Sequence, residues 1–138
     1  MTLRELSQSY HLEKEIEESQ QRLKNLKDAV LRISAPSFEE RSHPTGYIQG
    51  KIEVLTAEIT DLETIILSRQ IQCIVEKKRL ERYISSIKDS YIRRIFTLRF
   101  VDGLTWLQVA NKIGGKNSED GVRKACCRYI ADNKNDKL

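Results

Sequence analysis

Apolar residues in the first third of the chain recur at alternating steps of four and three: Leu12, Ile16, Leu23, Leu26, Val30 and Ile33, with Ser19 holding the phase. A 3.5-residue period keeps one stripe facing a partner helix, so the run predicts a coiled-coil seam. Glu13, Lys14, Glu15, Glu17, Glu18, Arg22, Lys24 and Lys27 surround it as the charged coat of a solvated helix. The pattern breaks over SAPSFEERSHPTG, 34–46. Pro36 and Pro44 are costly in a helix interior, so this stretch predicts a surface loop, with His43 an exposed loop side chain. The alternation then resumes through Ile48, Ile52, Leu55, Ile59, Leu62 and Ile66, and continues through Arg69, Cys73, Glu76, Leu80, Tyr83 and Ile87. One helix from about Tyr47 to Ser85 would be on the order of 60 Å long. The expected arrangement is a long antiparallel helical hairpin of coiled-coil type over 1–86. Arg69 and Glu76, the non-apolar positions of the second seam, would fix register or mark where a partner helix ends. Ile65, Leu67, Ile71 and Ile74 lie off the seam. That is more apolar surface than one partner helix covers, and it predicts a homodimer through the N-terminal helices.

From Gly103 the period changes. Gly103 can end an incoming helix in the left-handed conformation, and Thr105 can cap the next one. Trp106, Val109, Ala110 and Ile113 then fall on one helical face. Gly114-Gly115 stops that helix and permits a tight turn. Asn117 or Ser118 can cap a further helix with Glu119 and Asp120 in its first turn, where acidic side chains suit the helix dipole. Val122, Ala125, Cys126, Tyr129 and Ile130 form its apolar stripe, and Arg123, Lys124 and Arg128 stand off it. Two short helices about a glycine turn, the second bearing cations, predict a helix-turn-helix over 87–138, with Trp106 in its core beside Ile95, Phe96, Phe100 and Tyr129. A duplex major groove, roughly 12 Å wide, admits one helix and is read mainly by residues at that helix's start. The candidate contacts to double-stranded DNA are Thr105, Gln108, Lys112, Lys116, Asn117, Ser118, Glu119, Asp120, Arg123, Lys124 and Arg128. Arg123 and Lys124 can donate to guanine or to phosphate, Asn117 can pair with adenine, and Glu119 can accept from cytosine N4.

Charge placement sharpens this reading. Within the net +4, residues through Ser86 hold 13 Lys+Arg against 14 Asp+Glu, a balance of −1, and those from Ile87 hold 11 against 6, a balance of +5. The excess thus lies with the expected phosphate-facing module. The 39% hydrophobic and 32% charged content, with two prolines, predicts a folded, helix-rich chain. No apolar run reaches the roughly 20 residues that cross a bilayer. The opening MTLRELSQSYHLEKEIEE carries no cationic-then-apolar leader, so a cytoplasmic location is expected. Cys73, Cys126 and Cys127 are odd in number and without metal spacing, and are expected as reduced, partly buried thiols. There is no Gly-rich phosphate loop and no Ser/His/Asp or Cys/His constellation. A protein that is not an enzyme and carries no cofactor or metal is expected.

Leu104-Thr105, Val109-Ala110, Gly114-Gly115, Ser118 and Val122-Arg123 together resemble the region 4 helix-turn-helix of bacterial sigma factors. Their pattern runs LT-x-x-x-(I/V)-A, glycine turn, S-x-x-x-V-R. YIRRIFTLRFVDG, 91–103, resembles the helix that leads into that motif, and WLQVANKIGG with NSEDGVRKACCRYI is similar to small phage regulators of the RinA/ArpU type. The resemblance covers roughly the last third of the chain. The adjacent Cys126-Cys127 departs from its usual apolar-then-polar pair. It implies a sequence-specific transcription regulator, phage or prophage encoded, acting on late or packaging genes. Two other functions fit the same pattern: a small terminase-like DNA-recognition subunit, and a helical adaptor docking on RNA polymerase.

Overall fold

The computed structural model describes residues 1–34 and 45–135, over which the chain is all-α. Its helices are α1 (Leu3–Leu6), α2 (Gln8–Ser34), α3 (Thr45–Ser86), α4 (Ser90–Phe96), α5 (Trp106–Ile113) and α6 (Glu119–Asn135), with a π-helical turn, Thr97–Val101, continuing α4. The expected loop over 34–46 falls mostly outside the described residues, and the flanking residues Ser34, Thr45 and Gly46 are already helical. None of these helices is long and apolar enough to cross a membrane.

Every position of both seams is buried or half-buried, from Leu12 to Ile33 on α2, and from Ile48 to Tyr83 on α3 with Ile87 just beyond it. The 3.5-residue spacing of apolar side chains is therefore visible as a 3.5-residue spacing of covered ones.

The chain divides into two compact units, Lys14–Ile71 and Met1–Glu13 with Gln72–Leu138. The expected boundary after residue 86 does not coincide with this division, because Leu80 and Ile84 before it share one core with Ile87, Ile92 and Ile95 after it. In the first unit, Arg69 Nε donates to Glu15 Oε1 at 3.0 Å, and Lys27 Nζ lies 3.3 Å from Glu63 Oε1. Arg69, polar on an apolar seam, thus takes a partner from α2.

The second unit is built around Phe96, fully buried at the end of α4. Tyr83 stacks on it, and Phe100 and Tyr129 meet it edge to face with centroids 5.4 and 5.5 Å away, the geometry that ring quadrupoles favour. Val109, Ala110, Val122, Cys126 and Ile130 close the same core. Leu6 reaches it too, fully buried, from an N-terminal helix that the periodicity does not announce. That helix is held by a capping box in which Thr2 Oγ1 accepts from Glu5 N and Glu5 Oε2 accepts from Thr2 N. These bonds, the Thr2 backbone donor foremost, hold the Glu5 carboxyl below the usual carboxylate range.

Trp106 packs against this core as expected but stays half-buried, as Tyr129 does, with the Arg99 guanidinium 4.7 Å from its ring centroid. Arg99 is held there by donating from Nη1 to the Leu104 carbonyl at 2.8 Å. Cys73 and Cys126 are buried, Cys127 is exposed, and all three are free thiols.

Candidate functional site

The segment from α4 to α6 folds as its residues dictate locally. Asp89 caps α4, accepting from Tyr91 N at 2.8 Å. The π-helical turn inserts one extra residue, seen in Asp102 N donating to Thr97 O, and Gly103 at φ +71° ends the run. Thr105 then caps α5 in a capping box with Gln108: Thr105 Oγ1 accepts from Gln108 N at 3.3 Å, and Gln108 Oε1 accepts from Thr105 N at 2.9 Å. Gly114 and Gly115, at φ +76° and +66°, supply the turn. Between Asn117 and Ser118, the cap of α6 is Ser118, whose Oγ accepts from Gly121 N at 3.0 Å. Gly121 leaves room for that oxygen, since a Cβ there would sit 3.1 Å from it.

The two apolar stripes meet in the core: Val109 and Ala110 of α5, and Val122, Cys126 and Ile130 of α6, are buried, with Trp106, Ile113, Ala125 and Tyr129 half-buried beside them. Burial, with a lesser push from Cys127, raises the Cys126 thiol to about 12, so it stays protonated and inert.

All eleven candidate residues, Thr105 through Arg128, are exposed. They do not stand equally ready for a ligand. Thr105, Gln108 and Ser118 spend polar atoms on capping. Asn117 is engaged at both ends of its amide, with Nδ2 donating to Gly114 O at 2.9 Å and Oδ1 accepting from Tyr91 Oη at 3.2 Å. In this state its amide braces the turn, and pairing with a base would require giving up those bonds. Arg123 Nη2 meets Asp120 Oδ1 at 3.0 Å, an exposed i,i+3 pair that is weak enough to exchange for another anion. Lys124 and Arg128 have no acidic partner among the described residues. What α6 presents is therefore three exposed cations off its buried stripe, Lys124 and Arg128 roughly opposite it and Arg123 on its flank, with the acids Glu119 and Asp120 at its start.

Arg93 and Arg94 were not among the expected site residues. With Lys112 they rim a groove of about 510 Å³ whose floor is Ile84 and Leu98. The paired arginines in YIRRIF were a visible signal; that they would share a groove with Lys112 of α5 depends on how α4 and α5 meet. Among the described residues no three His, Cys, Asp or Glu side chains group closely enough to hold a metal ion. Compared with protein-family models, curated proteins and solved structures, the chain gives no significant match.

Proposed function

We propose that this chain is a sequence-specific DNA-binding transcription regulator whose residues 103–130 form a helix-turn-helix, with α6 the helix that enters the major groove. One observation carries the reading: Val122, Cys126 and Ile130 turn inward against Val109 and Ala110 across a positive-φ Gly114-Gly115 turn, leaving Arg123, Lys124 and Arg128 outside. A helix anchored on one side and cationic on the other suits a polyanionic groove. In this reading Arg123, Lys124, Lys116 and Glu119 are the base or phosphate contacts, and Thr105, Gln108, Asn117 and Ser118 hold the turn in shape.

The remaining expectations belong to the same proposal. Glu15 pairs with Arg69 and Lys27 with Glu63, so partner numbers fall along α3 as they rise along α2, the order of an antiparallel hairpin. Val54, Ile65, Leu67 and Ile71 of α3 are exposed and apolar, which supports a homodimer. Two linked modules would bind paired half-sites, with the second contact effectively intramolecular. The phage setting and any RNA polymerase partner rest on the resemblance of the last third alone.

Selection of bound duplexes from a random pool, followed by gel-shift competition against unselected DNA, tests the reading. A selected palindrome that outcompetes random DNA is the expected result, and equal competition by both would remove the sequence-specific claim. Arg123→Ala should weaken specific binding by about 1–3 kcal/mol where the guanidinium pairs with guanine. If it only neutralises phosphate, affinity should fall evenly across sequences. A ring of many subunits in solution would favour the small-terminase function over a dimeric regulator.

A further inference from the structure

The groove rimmed by Arg93, Arg94 and Lys112 has no residue of α6 in its lining. Three cations surround it, no carboxylate lines it, and the Ser90 hydroxyl stands at its edge. Arg93 is already fixed, its Nη1 donating to the Ile87 and Lys88 carbonyls at 2.7 and 3.3 Å. Arg94 and Lys112 are exposed and meet neither an acid nor a carbonyl among the described residues. Unpaired cations held around a recess on one folded unit are suited to an oxyanion, because their mutual repulsion is relieved when one binds.

We propose that this groove is a second DNA anchor, in which Arg94 and Lys112 grip the phosphate backbone beside the groove that α6 enters. The inference rests on the DNA-binding reading of α6 and adds to it a site that works without base contacts. Placement supports a phosphodiester chain over an acidic peptide. Lys112 lies in the last turn of α5, which Ile113 joins to the Gly114-Gly115 turn. Tyr91, in the first turn of α4, bonds Asn117 directly before α6. Lys112 of the groove and the start of α6 therefore flank the same turn, where one continuous polyanion can meet both.

Backbone contacts set position and affinity without carrying sequence information, and each releases counterions. Arg94→Ala/Lys112→Ala should therefore weaken a selected duplex and a random duplex by the same factor. The slope of log K against log salt should become shallower by about 1.8, at roughly 0.9 per phosphate lost. Arg94→Lys should keep the wild-type slope, since a point charge serves a phosphate as well. Titrations of the full chain over about 50–200 mM salt, with Arg123→Ala/Lys124→Ala alongside, separate the possibilities. If the groove variant keeps the wild-type slope while the α6 variant loses DNA, the anchor is overturned and the α6 reading stands; the groove then suits an acidic protein partner. If the groove variant loses only the selected duplex, the anchor is likewise overturned, because the groove reads sequence. If the wild-type chain ignores DNA even at low salt, both fall. Should the double variant melt early, Arg94→Gln alone takes its place, with an expected slope change of about 0.9.

Discussion

Gly114 holds φ +76° and ψ −168°, a conformation reached almost only without a Cβ. No neighbouring atom lies within reach of an added Cβ, so the restriction is purely one of backbone. Gly114→Ala should cost about 1–3 kcal/mol in urea or thermal unfolding. Gly50 makes the contrast: it is inside α3 with open space around it, and Gly50→Ala should stabilise by about 0.4–1 kcal/mol. The thiols differ in the same local way. Cys127 should react with a thiol reagent in the native protein, and Cys126 only on unfolding. Because burial raises Cys126 from an ordinary value near 9 to about 12, its contribution to stability is complete below pH 9 and is lost as pH rises toward 12. A thermal melt followed across that alkaline range checks the sign.

At the scale of elements, capping and packing share the work. Ser118 is the side-chain cap of α6, so Ser118→Ala should lower stability by about 1 kcal/mol. Trp106→Ala should cost about 2 kcal/mol, less than a fully buried aromatic, because solvent and Arg99 already cover part of the ring. Arg69 and Glu15 pair with much of both side chains in solvent, so Arg69→Ala should change the unfolding free energy by less than about 1 kcal/mol. Most of these elements were legible beforehand. The second long helix expected over 47–85 is Thr45–Ser86, and Thr105, Gly103 and Gly114-Gly115 hold the cap and turn conformations read from residue type alone. Such features are local, since one side chain or one φ angle decides each. Tyr91 gave no warning that its hydroxyl would hold Asn117, a partner 26 positions away.

Over the whole molecule, charge follows the compact units more sharply than the expected boundary did. Lys14–Ile71 holds 8 Lys+Arg against 10 Asp+Glu, a balance of −2, and the other unit holds 16 against 10, a balance of +6. The exposed apolar residues of α3 lead to a prediction at this scale. Sedimentation equilibrium should give a mass near twice 16.0 kDa, and Leu67→Lys/Ile71→Lys should halve it. A wild-type chain that stays monomeric at high concentration would sink the dimer.

The sequence by itself determined the all-α class, the phase of both seams, the cap of α5, the two candidates for the cap of α6, and the sidedness of α6. Each follows from a period or a residue type acting over a few neighbours. Only the tertiary structure decided that Leu6 joins the core with Leu80 and Ile84, that Trp106 sits at the edge under Arg99, and that Arg94 and Lys112 rim one groove. Those relations depend on how separate helices come together in space, which no periodicity along the chain encodes.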